Sequence, residues 1–430
     1  MSSQPDFVRG ILHLLLPLAL VNTAVRADEV TDWNRILFRA ALLPPATNPF
    51  VMTRVVAIVQ TSVFDAVNGI ERRYTPIHVT PAAPPGASER AAAVQAAYAS
   101  LVRLYPSQSA TFDMLRTASL AGISSGPAAE PSESIASGVE WGQAVADEIW
   151  AWRSADGFTS PLPFINGTLP GEWRPTPPGN LPFAGTQFVD MTPWSIQSPS
   201  QFRPAGPPTL TSLQYTQDFN ETKTMGSLSS LTRTPDQTTY SLFWNASTAP
   251  YYWDTIATQV ATARHLTLTE TARLLALVNI AMADAAIGCW NAKYFFHFWR
   301  PITAIRLADT DGNPATDVDT TWNALFVTPA HPDYPSGHSC VSGAAGRVLS
   351  NYFGDDTPFS ISSDVMIWTT RYFSSFTAAL EEIKNARVFA GIHFRTACND
   401  GQTLGIGVAD YILGHSLLPV NGNPQGQVPH

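Results

Sequence analysis

The sequence predicts a mainly α-helical protein that consists of two helical bundles separated by an irregular, Pro/Gly-rich insertion. Apolar residues recur at spacings of three and four through residues 28–154 and again through 238–430, as in amphipathic helices. The alternation typical of strands is scarce, and the periodicity fades over 155–237, where Pro, Gly, Ser and Thr accumulate. A chain of 430 residues can bury a core that needs no disulfide bonds.

Residues 1–27 have the features of a secretory signal peptide. Arg9 precedes the apolar run ILHLLLPLALV, and the segment ends at Ala27 with Val25 two positions before it, which suits a small-residue cleavage site. The run is shorter than the ~20 residues that cross a bilayer. We therefore expect a secreted or periplasmic protein without a transmembrane segment; a buried first helix is the alternative for this stretch.

The N-terminal bundle, residues 28–154, contains two helix starts that are marked by capping residues. Asn48 precedes Pro49 at the first helical position, and Ser88 precedes Glu89. A further amphipathic run is closed by Gly157. These marks predict helices that begin near residues 49 and 89, and a last helix that ends just before the insertion.

The insertion at 155–237 keeps Trp173, Trp194 and several phenylalanines, whereas a disordered linker would be poor in aromatic residues. We expect an ordered, irregular excursion over the protein surface. Long ordered loops often form the wall or lid of a site; a structural wrap or an oligomer contact is the other interpretation. Helical patterns resume over 238–430, and no internal sequence repeat is apparent.

Charge and cysteine content exclude several classes of function. The net charge is -9 and no basic run occurs, which argues against a nucleic-acid partner. The three cysteines form no Cys-x-x-Cys pair, which excludes zinc ribbons and thioredoxin-like chemistry. Their odd number allows at most one disulfide bond. They are Cys289, Cys340 and Cys398.

The stretch KYFFHFWRP, residues 293–301, places two cations among aromatic residues. Lys293 and Arg300 are seven residues apart, which puts both on one face of a helix, and Pro301 then ends a regular helix. Cations in such semi-apolar surroundings need a counter-charge if they are buried. A solvated helical face is the alternative interpretation.

A second polar stretch is HPDYPSGHS, residues 331–339. After Pro335, Gly337 lets a backbone N–H approach a bound group closely, and the following residues predict the start of a helix. Helix N-termini attract anions, and Ser336 and His338 add a hydroxyl and a proton donor. A simple helix cap would account for the same residues.

The third stretch is ARVFAGIHF, residues 386–394. Arg387 and His393 are six residues apart, on different sides of an ideal helix, so they converge only if the helix ends or distorts. Gly391 is the natural place for that end. A structural arginine and a core histidine are the ordinary alternative.

Together, the three stretches resemble the three-part motif that vanadium-dependent haloperoxidases share with type 2 phosphatidic acid phosphatases and bacterial acid phosphatases. That motif is Lys with Arg-Pro seven residues later, then Pro-Ser-Gly-His, then Arg with His six residues later, and it spans 293–393 here. The resemblance implies a haloperoxidase/acid phosphatase-like helical fold. It also implies a vanadate cofactor, with hydrogen peroxide, halide and a small organic acceptor as reaction partners.

The resemblance also implies a role for each residue. His393 would be the apical nitrogen ligand of the metal, and His338 the acid/base near the opposite apex. The equatorial oxygens would be bound by Lys293, Arg300, Arg387, Ser336 and the amide of Gly337. Such a centre needs cations and N–H or O–H donors around its oxygens.

Three features favour a haloperoxidase over a phosphatase. His331 gives HPDYPSGH, similar to bromoperoxidases, and Trp290 occupies a halide-pocket position of haloperoxidases. The chain also exceeds a compact phosphatase bundle. We therefore predict oxidation of bromide or iodide; chloride is the less expected halide. An acid phosphatase or phosphotransferase and a non-catalytic oxyanion-binding protein are the alternatives.

One position departs from the pattern of the family. Many members carry Asp four residues after the apical histidine, where this chain has Ala397. A phosphatase that uses this histidine as its nucleophile depends on such a carboxylate. Asp400, the first carboxylate downstream, is the hypothesised substitute.

Overall fold

The fold is mainly α-helical, as the sequence predicts. A computed structural model describes residues 28–125 and 128–420, so the expected signal peptide at 1–27 lies outside the described residues. The described residues form thirteen α-helices and one two-stranded sheet. The helices are α1 Glu29–Leu42, α2 Pro49–Glu71, α3 Glu89–Leu104, α4 Ser109–Ser125, α5 Ser132–Ser154, α6 Leu213–Met225, α7 Pro235–Ala246, α8 Ala249–Ala263, α9 Leu268–Phe296, α10 Pro301–Arg306, α11 Gly337–Phe353, α12 Phe376–Phe389 and α13 Arg395–His415.

Capping residues fix several helix starts. The side chain of Asn48 accepts a hydrogen bond from the Phe50 N–H at the start of α2, and Ser88 caps α3 in the same manner. Both starts agree with the sequence. The longest helix, α9, begins with a capping box in which Thr267 and Glu270 satisfy each other's backbone N–H groups.

Two long apolar helices, α2 and α9, pack against each other at the centre of the molecule. By length and composition alone, each could cross a membrane, but 89% and 100% of their apolar windows are buried inside the protein. One continuous hydrophobic core contains residues from both helices, from α3 and α5, and from α11 and α13. These two helices therefore join the N-terminal and C-terminal helices through a shared core.

The structure reveals an internal repeat that is not apparent in the sequence. The helices α2, α3 and α5 have counterparts in α9, α11 and α13, with matched residues at matched spacings. Asp65 on α2 accepts hydrogen bonds from three consecutive loop N–H groups, and Asp284 on α9 does the same with another loop. The paired residues are Arg54 and Arg273, Asp65 and Asp284, and Gly69 and Gly288.

The second half of each repeat is a close helix pair. A Cβ atom at Gly138 or Gly142 of α5 would clash with backbone oxygens of α3, and the same holds for Gly401 and Gly405 of α13 against α11. By this correspondence, the first-repeat counterparts of the Ser-Gly-His stretch at 336–338 are Ser, Glu and Arg at 88–90. Only the second repeat therefore carries the oxyanion motif.

The insertion at 155–237 contains α6 and a short 3₁₀ helix, Thr186–Phe188. Trp173 and Trp194 are buried, which explains why the segment retains aromatic residues. The small sheet lies between α11 and α12, where β1 Phe359–Ser362 pairs antiparallel with β2 Thr370–Phe373. The three cysteines are buried free thiols.

Candidate oxyanion site

Lys293 and Arg300 converge in the protein interior, although not on one helical face as predicted. Helix α9 ends at Phe296, and His297 adopts a left-handed conformation with φ 54°. Arg300 is therefore the extended residue that precedes α10. Both side chains are fully buried, so the solvated-face interpretation is wrong.

These two cations hold the backbone of the other two motif stretches. The Lys293 Nζ donates to the carbonyl oxygens of Pro332 and Asp333 at 2.8 and 3.0 Å. The Arg300 Nε donates to the His331 carbonyl at 2.7 Å, and Nη1 donates to the Ile392 carbonyl at 2.6 Å. The three stretches are thus cross-linked around one point.

The helix start at 336–338 presents free polar atoms to this point. Ser336 precedes α11, and its own N–H donates to the Ala397 carbonyl at 2.8 Å. The Ser336 Oγ and the His338 Nε2 are buried without a hydrogen-bond partner among the described residues. A Cβ atom at Gly337 would lie 3.1 Å from the Trp290 ring, so any side chain there would crowd this ring.

The third stretch turns back where the sequence predicts. Helix α12 ends at Phe389, and Gly391 adopts a positive φ of 77°. Arg387 in the last turn and His393 beyond it are both buried. The Arg387 Nη1 donates to Asn245 Oδ1 at 3.0 Å, while its Nε has no partner among the described residues.

The His393 ring lies between a cation and a carboxylate. Its Nε2 is 3.1 Å from the Arg300 Nη1, and its Nδ1 is 2.8 Å from the Asp333 Oδ1. The hypothesis that Asp400 serves this ring is wrong, because Asp400 instead accepts a hydrogen bond from the Tyr334 hydroxyl at 2.5 Å. Sequence reasoning missed Asp333, although it lies inside the HPDYPSGHS stretch.

The site carries an excess of positive charge in a dry environment. Burial lowers the pKa of Lys293 to about 8 and the pKa values of Arg300 and Arg387 to about 10. Burial raises the pKa of the Asp333 carboxyl to about 7, against the opposing effect of Arg300 and Lys293. Three cations thus face one carboxyl group, and a bound anion would relieve the imbalance.

The three histidines of the site are held neutral. Burial lowers the pKa of each well below the ordinary value, and the neighbouring cations add to the effect. For His338, a hydrogen bond to the Trp244 backbone opposes the shift in pKa. Neutral imidazoles retain a nitrogen lone pair, which can bind a metal or accept a proton.

One side of the site is an aromatic wall. The Trp290 ring lies 5.1 Å from the His331 ring and 5.0 Å from that of Phe50, the second residue of α2. The Trp290 Nε1 donates to the Ala184 carbonyl of the insertion at 3.3 Å. The insertion therefore contributes to the site wall. Sequence reasoning missed Phe50, Ala184 and Asn245, because no local pattern marks residues so distant in the chain.

The residues present fit a tetrahedral oxyanion. Within the described part of the chain, the Ser336 hydroxyl and the Arg387 Nε are site donors without partners, and they lie beside buried cations. Such donors match the oxygens of vanadate or phosphate. The Nε2 atoms of His338 and His393 add a base and a nitrogen ligand. Fold and site together define a helical, oxyanion-binding protein.

The C-terminal part of the chain is similar to proteins of known function. A profile of the VCPO second helical-bundle domain matches residues 273–422. Vanadium chloroperoxidase of Curvularia inaequalis is 31% identical over 172 residues, which are 33% of this chain and 28% of that enzyme. The match therefore spans less than a third of the relative's length.

Solved structures extend the likeness over most of the chain. A bacterial vanadium-dependent iodoperoxidase superposes with a TM-score of 0.77 at 26% identity, covering 91% of this chain and 97% of that protein. A holo-type bacterial vanadium-dependent chloroperoxidase gives a TM-score of 0.68 at 18% identity, covering 90% and 95%, and shows the fold alone. Residues 273–422 thus match the domain family of vanadium chloroperoxidase, and the fold of most of the chain is similar to that of vanadium-dependent haloperoxidases, as the motif indicates.

Proposed function

We propose that the protein is a vanadate-dependent haloperoxidase that uses hydrogen peroxide to oxidise bromide or iodide. The observation that carries the proposal is the convergence of three buried cations, Lys293, Arg300 and Arg387, around the neutral imidazole of His393. A phosphate site needs the same cations. The likeness to an iodoperoxidase over 91% of the chain favours the peroxidase.

In this proposal, the residues divide into an oxyanion cradle and a ligand. Lys293, Arg300, Arg387, the Ser336 hydroxyl and the Gly337 amide would hold the vanadate oxygens. His393 would bind the metal through Nε2, and the Arg300 Nη1 that now donates to this nitrogen would donate to an oxygen instead. Bound vanadate would supply a Lewis acid that polarises peroxide.

His338 would be the acid/base of the reaction. Its Nε2 is buried, has no partner among the described residues and belongs to a neutral ring, so it can accept a proton from incoming peroxide. The aromatic wall of Trp290 and His331 would receive the halide beside it. A polarisable anion can rest against such ring edges without a full hydration shell.

The direct test is peroxide-dependent bromination of a phenolic dye, with and without orthovanadate. We expect halogenation that depends on added orthovanadate, and faster turnover with iodide or bromide than with chloride. Absence of halogenation at every pH, together with rapid hydrolysis of p-nitrophenyl phosphate, would favour the phosphatase. Vanadate binding without either activity would indicate an oxyanion-binding protein.

We also propose that the chain is exported, with cleavage after Ala27. The charged start, the apolar run and the small-residue site at the N-terminus support this. The mass of the mature protein from its native host would test it. Detection of the intact N-terminus in the cytosol would contradict export.

A further inference from the structure

We propose that Asp333 positions the metal-binding histidine, in place of the carboxylate that relatives carry four residues after it. This inference rests on the proposed function, because it concerns the ring of His393 as a vanadate ligand. Asp333 contributes no atom to the oxyanion cradle. It is a positioning residue that acts through the His393 ring.

Asp333 and His393 lie side by side in a fully buried place. The Asp333 Oδ1 lies 2.8 Å from the His393 Nδ1, and the two side chains are 0% and 2% exposed. Among the described residues, neither carboxylate oxygen of Asp333 has an aligned hydrogen-bond donor, although the Phe394 backbone N–H lies close enough to lower the pKa of this carboxyl. The His393 Nδ1 has no aligned partner either. Arg300 is 3.9 Å from the same oxygen, beyond hydrogen-bond distance.

The position of the proton on the His393 ring also points to Asp333. A guanidinium group can only donate, so the Arg300 Nη1 at 3.1 Å requires a lone pair on the His393 Nε2. The proton of the neutral ring must then be on Nδ1, which is the nitrogen that faces Asp333. Both contacts therefore select one tautomer, and it is the tautomer that leaves Nε2 free to bind a metal.

The backbone of Asp333 is held by hydrogen bonds of both its N–H and its carbonyl group. Its N–H donates to the Phe298 carbonyl at 2.9 Å, and its own carbonyl accepts from the Lys293 Nζ at 3.0 Å. The backbone that carries the carboxylate is therefore held by the same lysine that would bind the oxyanion. The two positions downstream of His393 do not compete for this role, because Ala397 has no carboxylate and Asp400 is bound by Tyr334.

The test measures orthovanadate affinity by isothermal titration calorimetry on the full chain. Asp333→Ala should weaken binding about 10- to 100-fold, the usual effect of losing a partner of a metal ligand. Asp333→Asn keeps the side-chain volume and an acceptor oxygen, so it should weaken orthovanadate binding less than Asp333→Ala does. It replaces the alanine variant in the test if that variant fails to fold. Asp400→Asn is the matched control and should bind within about twofold of wild type, because Asp400 contacts Tyr334 instead of the histidine.

Moving the carboxylate from position 333 to position 397 distinguishes a loss of ring positioning from general damage to the fold. The double variant Asp333→Ala/Ala397→Asp places the acid where relatives have it, and recovery of affinity towards wild type would support the proposal. Equal affinity of Asp333→Ala and wild type would overturn it and leave the proposed function standing. Failure of the wild type to bind orthovanadate would overturn both.

Discussion

Replacement of Asp254 by Asn should make the protein more stable at neutral and alkaline pH. Asp254 lies on α8 and is fully buried, and one of its oxygens accepts a hydrogen bond from the Asn279 side chain at 2.9 Å. The other oxygen has no partner among the described residues. Burial therefore raises the pKa of Asp254 from 3.8 to about 8.

The sign follows from the number of protons bound in each state. Between pH 4 and 8 the folded protein keeps this carboxyl protonated while the unfolded chain releases the proton, so stability falls as the pH rises. Each pH unit costs ~1.4 kcal/mol, and the rise from pH 5.5 to 7.5 therefore costs about 3 kcal/mol. Asp254→Asn removes this cost and keeps the volume and the acceptor oxygen.

Urea unfolding at pH 5.5, 6.5 and 7.5 is the assay, with wild type and variant compared at each pH. The difference in unfolding free energy between the two proteins cancels the contributions of other titrating groups, provided that they do not interact with Asp254. We expect the difference to move in favour of Asp254→Asn by about 3 kcal/mol over this range. Parallel stability profiles would refute the reasoning, because they would mean that the carboxyl titrates normally.

Three further predictions follow from specific contacts. Gly337→Ala should leave the unfolding temperature within a few degrees of wild type, because alanine suits a first helical turn. The variant should nevertheless weaken orthovanadate binding about tenfold or more, because the new methyl group crowds Trp290. Calorimetry would measure both quantities, and unchanged affinity would contradict the prediction. His331→Phe removes the acceptor that lies 3.0 Å from the Arg300 Nη2, so bromide turnover should fall about tenfold in steady-state assays, and unchanged kinetics would assign His331 a structural role. Asp284→Ala leaves three loop N–H groups without their acceptor and should lower the free energy of unfolding by about 3 kcal/mol or more, as measured by chemical unfolding. A decrease below about 1 kcal/mol would show that water replaces the carboxylate.

The sequence predicts much of the site because the motif residues are fixed by local spacing. Pro335 and Gly337 indicate a helix start, and Gly391 marks the turn that brings Arg387 and His393 together. These features depend on neighbours in the chain, so they can be recognised without the fold. The helical class follows from apolar periodicity for the same reason.

What the sequence does not predict depends on packing between distant segments. The left-handed His297 ends α9 before Arg300, so the two cations converge through a turn instead of along a helix. Asp333 contacts the His393 imidazole because its loop faces that ring, whereas the Asp400 carboxylate accepts a hydrogen bond from the Tyr334 hydroxyl. Neither contact can be read from the spacing of residues in the sequence. The internal repeat is also hidden in the sequence, because only a few scattered glycine, aspartate and arginine pairs preserve it.

The most direct test of the central claim is a crystal structure of the protein grown with orthovanadate. We predict a five-coordinate vanadium bonded to the His393 Nε2, with its oxygens contacted by Lys293, Arg300 and Arg387. A tetrahedral anion held by these cations without a bond to the ring nitrogen would contradict the haloperoxidase assignment. Orthovanadate bound elsewhere, with the cage unchanged, would contradict the assignment of the site itself.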